Sequence, residues 1–270
     1  MAMFNTIATN TNLIVFNRER NMRKMTELIP IYALNGYKNL DLNFCEMMNP
    51  TSDLKDESKA TAYIKKLLEY REEYKLNYFQ CHLPYQVKGH DPKDISLIKQ
   101  ALEYCDKLSI PVAVIHPIKG TIKENIEYFE SLSSFIPQGV KLAIENMENK
   151  DEIYSYEELK KIISSLSYKA GICLDTGHAN MTGVDIPQFI QDCAEHLIAT
   201  HIADNDGTRD QHLLPGFGTI KWEEVIPAFK KFYNGYLNYE AMFFSREISE
   251  KLSDEIISLS KAIGYWLLDL

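Results

Sequence analysis

The chain has no surplus of positive charge: 29 Lys and Arg stand against 38 Asp and Glu over 270 residues, a formal charge of -9. With no basic footprint for a phosphate backbone and no polybasic patch for an anionic bilayer, nucleic-acid and membrane partners are both disfavoured, although a local patch can sit on an acidic protein. No apolar run approaches the roughly 20 residues that span a bilayer. The opening MAMFNTIATN lacks a basic start followed by an apolar stretch, so no secretory signal is expected. The five cysteines (Cys45, Cys81, Cys105, Cys173 and Cys193) include no C-x-x-C pair and read as buried free thiols of a reducing cytoplasm. No G-x-G-x-x-G follows the first candidate strand, which removes support for a dinucleotide-binding open sheet.

What is present is an alternation. The short runs NYFQCH, PVAVIH, KLAIE, AGICLD, HLIATHI and GYLNYE are rich in β-branched or aromatic residues and too short for helices. FNTIA and KNLDLNF supply two earlier strands. Between the runs lie helices with chemical start signals. Asp91 caps a segment that opens with Pro92 and buries Ile98, Ala101, Leu102, Cys105 and Leu108 on one face. Thr121 with Glu124, and Ser155 with Glu158, have capping-box spacing. A last helix sets Leu252, Ile256, Leu259 and Ile263 along one side, and helical segments near residues 20–34 and 57–75 fill the early half, the first kinked or ended by Pro30. About eight strand-plus-helix units result, the size of a (β/α)8 barrel. The expected fold is therefore α/β, one TIM-barrel domain over residues 1–270.

The strand ends carry the chemistry. Reading the last inward candidate of each run gives His82, His116, Glu145, Asp175, His201 and Glu240. In a parallel barrel every strand ends on the same face, so these six groups converge on one mouth. His178 follows Asp175 within LDTGH, and Asp210 with His212 lie on one side of a short extended segment. Five of the seven histidines thus join one constellation; His90 and His196 remain outside it, His196 on a helix face. Each residue has an ordinary alternative: a satisfied core histidine, Asp175 bonding a turn, Glu145 pairing with a lysine. Six such groups gathered together need a cation, because burying them uncompensated is costly. Nitrogen and oxygen donors of this kind suit a divalent metal.

The stretches GICLDTGHAN, AIEN, HIADNDGTRDQHLLPGFGTIKW and NYEAMF resemble the xylose isomerase-like barrel superfamily, from about Tyr78 to Phe243. That superfamily holds sugar and sugar-phosphate isomerases and epimerases, inosose-processing enzymes and type-IV apurinic-site endonucleases. The resemblance implies one divalent ion (Mn, Zn, Mg or Co) held by Glu145, Asp175, His201 and Glu240. It implies His178 and Arg209 as substrate-binding groups; His82 is expected beside them, and Glu145 and Glu240, on different strands at the mouth, are expected to act as an acid–base pair. The substrate implied is a small carbohydrate or cyclitol. The endonuclease branch matches nine ligands in order, adding His82, His116, His178, Asp210 and His212, and so up to three ions. Its implied activity is phosphodiester hydrolysis at abasic sites. Gly216 and Gly218 provide either a tight turn or backbone N–H groups for a phosphate. A cytoplasmic protein, compatible with a homo-oligomer, is expected.

Overall fold

The computed structural model describes residues 4–17, 19, 21–85, 91–242 and 249–270; His90 lies outside the described residues. Eight parallel strands build the barrel: β1 (Ile7–Asn10), β2 (Asn39–Asn43), β3 (Asn77–His82), β4 (Val112–Ile115), β5 (Lys141–Glu145), β6 (Gly171–Asp175), β7 (Leu197–His201) and β8 (Leu237–Tyr239). Each pairs with its sequence neighbour, and β1 pairs with β8. A parallel bridge between Ile202 and Tyr239 joins β7 to β8. There Ile202 N–H donates to Asn238 O at 2.8 Å, and Glu240 N–H to Ile202 O at 3.1 Å. The result is a nearly closed (β/α)8 TIM barrel, as the alternation predicts.

Around it run α1 (Met25–Leu34), α2 (Glu57–Tyr74), α3 (Pro92–Lys107), α4 (Ile122–Ser131), α5 (Tyr156–Ser165), α6 (Thr176–Thr182), α7 (Ile186–Asp192), α8 (Trp222–Phe232) and α9 (Ser253–Asp269). Both expected capping boxes form, at Thr121–Glu124 and Ser155–Glu158, and Asp91 accepts from Lys93 N–H. The expected α3 stripe is fully buried.

Several expectations fail for identifiable reasons. Pro30 does not end α1: the helix continues to Leu34, having begun at Met25 after a small turn bridged by Phe16 and Met22. Leu252, just before α9, and Leu259 within it are exposed, while Ile257, Ser260, Gly264 and Leu267 join Ile256 inside. Small residues win there because the helix lies close on the barrel: a Cβ at Gly264 would meet Ile7 Cδ1 at 2.7 Å, and Ser260 Oγ bonds Tyr37 Oη at 2.8 Å. His196 is not on a helix face; it occupies the turn that enters β7, at the end of the barrel away from the mouth.

The barrel interior is divided. Val114, Ala143, Cys173 and Ala199 form a small apolar cluster on the side of β4 to β7. Asp41, Gln80 and Asn238, from β2, β3 and β8, fill the other side and are fully buried. This polar half depends on an irregularity. The β2–β3 register runs Leu40 with Tyr78 and then Asp41 with Gln80, so Phe79 is an extra residue in β3. A bulge of this kind shifts the alternation of every later side chain. Tyr78 accordingly reaches outward to α2, its hydroxyl donating to Leu67 O, while Gln80 contacts His201 inside.

Candidate metal centre

Four of the six expected strand-end groups are the last residues of their strands, and His116 and Glu240 lie one residue beyond. All six gather at the mouth. His201 Nδ1 lies 2.8 Å from Glu145 Oε1 and 2.9 Å from Glu240 Oε2. His82 Nε2 and His116 Nε2 are 3.1 Å apart, and His116 Nε2 is 3.1 Å from Glu145 Oε2. Glu145, Asp175, His201 and Glu240 each offer a donor atom within 4.8 Å of the others. So do His82, His116 and Glu145 as one further set, and His178, Asp210 and His212 as another. Glu145 belongs to both of the first two.

The donor set fits a divalent cation. Ligands about 2.0–2.2 Å from one ion lie at most about 4.4 Å from each other, close to the spacing found. Glu145 Oε2 and Asp175 Oδ2 are buried and accept no hydrogen bond, which is costly for carboxylate oxygens unless a cation faces them. Asp175 shows the division of labour within one side chain. Its Oδ1 caps α6 by accepting His178 N–H at 2.8 Å, leaving Oδ2 to the centre. The turn-bonding reading of Asp175 is met by Oδ1, while Oδ2 is buried without a hydrogen-bond partner.

The imidazoles are oriented from behind. His82 Nδ1 is 2.7 Å from Leu83 O, His178 Nδ1 2.8 Å from Asn146 O, and His212 Nδ1 3.0 Å from Glu240 O. A backbone carbonyl accepts only from N–H, so in each ring Nδ1 carries a proton and Nε2 is the nitrogen turned to the site. Electrostatics follow the packing. Burial pushes the Asp175 carboxyl up to about 7. Burial also works to raise Glu240, but adjacent His201 outweighs it and holds the group at about 2. For His212, burial favours the neutral ring, yet Asp210 Oδ2 at 2.6 Å pushes it up to about 9.

The stretch HIADNDGTRDQHLLPGFGTIKW resolves into separate tasks. Asp204 builds the loop: its carboxylate accepts Asn205 and Ile220 N–H on one oxygen and Gly216 N–H and Trp222 Nε1–H on the other. Gly218 approaches so closely that a Cβ would lie 2.2 Å from Asp204 Oδ1, and Gly216 has φ +88°, so both glycines are required. The Gly216 N–H is therefore used inside the loop, which removes it from the phosphate-binding alternative. Asp206 closes an exposed turn on Thr208. Asp210 and His212 reach the site, although not from an extended segment: His212 is left-handed, with φ 46°. Arg209 is exposed and is not on the wall of the mouth cavity.

That cavity measures about 520 Å³, within the range of small-molecule sites. Its wall includes His82, His116, His178, Asp210, His212 and Glu240, while Glu145, Asp175 and His201 lie beneath. Sequence reasoning missed the rest of the wall: Glu148, Glu152, the carboxamides of Asn12 and Asn43, and an apolar side of Val15, Phe16, Met22, Tyr85, Met147 and Met242. Cys45 also lines it, half-buried, with Sγ 3.3 Å from His82 Nδ1; the other four thiols are buried and all five are free. Glu148, in the run that continues AIEN, was the most legible of these. Among the described residues the lining carries no Lys or Arg, and no helix is long and apolar enough to cross a membrane.

Fold and mouth together define a class: parallel (β/α)8 barrels with a carboxylate–imidazole centre at the strand C-termini. Residues 29–259 match the family described as xylose isomerase-like TIM barrel, and the chain belongs to that family. An uncharacterised protein of Methanocaldococcus jannaschii is 28% identical over 201 residues, 66% of this chain and 68% of the relative. A probable endonuclease 4 of Mycoplasma capricolum is 24% identical over 196 residues, 61% of this chain and 68% of that one. Among solved structures, the IolI protein with a zinc atom superposes with TM-score 0.78 at 18% identity, covering 98% of both chains. D-psicose 3-epimerase of Clostridium cellulolyticum, solved with D-tagatose, gives TM-score 0.74 at 16% identity, covering 97% of this chain and 99% of that one. At these identities the structural likeness is one of fold.

Proposed function

We propose that the chain is a metal-dependent isomerase or epimerase of a small carbohydrate or cyclitol. One observation carries this reading: the Glu145–Asp175–His201–Glu240 set lies directly under a cavity of about 520 Å³ whose described wall offers carboxylates, imidazoles and amides but no Lys or Arg. The hard step in such a reaction is removal of a proton from carbon next to a carbonyl. A divalent ion held by the four-residue set would supply Lewis-acid stabilisation of the negative charge that develops on the substrate oxygen.

The chain's own residues do the rest. Glu240 stands on the wall and takes the proton from the substrate carbon; a positioned carboxylate is a competent general base. Glu145 approaches the same point from β5, since both carboxylates lie within 3 Å of His201 Nδ1. Entering protonated, it delivers its own proton to the substrate, and exchange with solvent then resets both carboxyl groups. Asp175 and His201 hold the ion. His178 and His82, both on the cavity wall, bind substrate hydroxyls. The test is exchange in deuterated water: the metal-loaded protein is incubated with free and phosphorylated aldoses, ketoses and inososes and read by NMR. Deuterium should enter one substrate at the carbon next to its carbonyl. No incorporation across the panel overturns the reading.

A second reading has its own support. The three donor sets comprise all nine groups of the endonuclease pattern, and a probable endonuclease 4 is among the relatives. Under it, the nine groups would hold as many as three ions, which would supply Lewis-acid chemistry for phosphodiester hydrolysis at an abasic site. Salt-sensitive cleavage of an abasic duplex in the same preparation decides for it.

A further inference from the structure

His201 is oriented unlike the other histidines of the centre. In His82, His178 and His212 the nitrogen behind the site is Nδ1 and its acceptor is a backbone carbonyl. In His201 the ring is reversed: Nδ1 faces Glu145 and Glu240, and Nε2 faces into the barrel. The oxygen that meets Nε2, at 3.4 Å, is Oδ2 of Asp41. Asp41 is fully buried, and so are the two amides that fix it, Gln80 Nε2 donating at 2.8 Å and Asn238 Nδ2 at 2.9 Å. Its Oδ1 has no hydrogen-bond partner. A carboxylate this deep, held by two neutral amides alone, is costly unless a positive or proton-donating group completes its shell.

We propose that Asp41 is the positioning residue of the centre, selecting the His201 tautomer that leaves the Nδ1 lone pair free for the ion. This rests on the reading of the four-residue set as an ion site. Two tautomers compete. With the proton on Nδ1, the ring donates to Glu145 or Glu240, Nε2 accepts from Gln80 Nε2 at 3.2 Å, and no ion can bind to Nδ1. That arrangement points the Nε2 lone pair at the Asp41 carboxylate, which repels it. With the proton on Nε2, the ring donates to Asp41, Gln80 Nε2 keeps only its bond to Asp41, and the lone pair turns to the centre. A buried carboxylate behind a histidine ligand also makes the ring a stronger donor than a carbonyl does. The Phe79 bulge gives the arrangement its structural basis, because it brings Asp41 and Gln80 into register beneath His201.

The test uses the full chain with zinc as probe. Zinc affinity is measured by competition with a chromophoric chelator for wild type, Asp41→Asn and, as a marker of the same ion, His201→Ala. Asp41→Asn should bind the His201-dependent ion about 10–100-fold more weakly, while the thermal midpoint of its zinc-free form stays at or above that of wild type. Unchanged zinc affinity overturns the proposal. Imidazole nitrogen NMR of zinc-loaded wild type needs no variant and decides the matter even if Asp41→Asn does not fold. A proton on His201 Nε2 with Nδ1 shifted by the ion supports the proposal, and an unprotonated Nε2 sinks it. Failure of wild type to take up any zinc overturns the ion-site reading itself, and this proposal with it.

Discussion

The donors at the barrel mouth come from two kinds of structure. His82, Glu145, Asp175 and His201 end strands, and His116 and Glu240 directly follow them, where a continuous hydrogen-bonded sheet sets their spacing. Asp210 and His212 ride on the loop between β7 and α8, closed by an antiparallel bridge from Asp204 to Leu213 and organised by one carboxylate. Exposure does not follow that division: the Glu145 and His201 side chains are at 0% and that of Asp210 at 28%, but strand-held His116 is at 21% and loop-held His212 at 9%. Strand ends are rigid because neighbours on both sides fix them; a loop is only as rigid as its own internal bonds. The strand-held set is thus suited to holding an ion, and the loop-held pair to adapting around what binds beside it.

The largest effect is expected at Glu240. Glu240→Gln should lower the rate of solvent exchange about 10²–10⁴-fold with circular dichroism and melting unchanged; full exchange would remove Glu240 from the chemistry. Next comes a paired comparison. Loss of His201 should remove the central ion, whereas His212→Ala should leave it, as read by metal stoichiometry after gel filtration. Equal losses in the two variants would abolish the distinction between strand and loop.

The same pair separates by pH. His212 is raised to about 9 by Asp210, so below that pH an ion entering the loop-held set must displace a proton. Affinity there should fall about tenfold per pH unit as pH drops below about 9, with proton release measurable in weak buffer. A pH-independent uptake would rule out ligation by His212. Asp204→Ala should cost about 2–4 kcal/mol through four donors left without their acceptor, seen as a lower melting temperature with the central ion retained. The smallest effect is expected at Arg209. Because it is exposed and off the cavity wall, Arg209→Ala should change KM and kcat by less than about twofold. A tenfold rise in KM would show that the loop turns inward on substrate binding.

Much of this was legible because it is local. The capping boxes at Thr121 and Ser155 are short-range hydrogen bonds that reside in the sequence itself. The polar residue closing each apolar run was visible without coordinates, since parallel strands all end on one face. The illegible features depend on contacts between distant segments. The reversed phase after Phe79, the inward turn of Asp41 and the burial of Ser260 and Gly264 in place of Leu252 and Leu259 have no local signal. A period read along one strand or helix cannot register a bulge, or a neighbour that demands a small residue.

The order and chemistry of the parts were therefore decided by the sequence alone: alternating strands and helices, with a nitrogen or oxygen donor at successive strand ends. Only the tertiary structure decided which donors share a centre, that Asp204 builds the loop while Asp210 enters the site, and that a buried aspartate stands behind His201. The reason is physical. Periodicity and capping act over a few residues, whereas donor convergence and the choice of an imidazole tautomer require atoms from β2, β3, β5, β7 and β8 within hydrogen-bonding reach of one another.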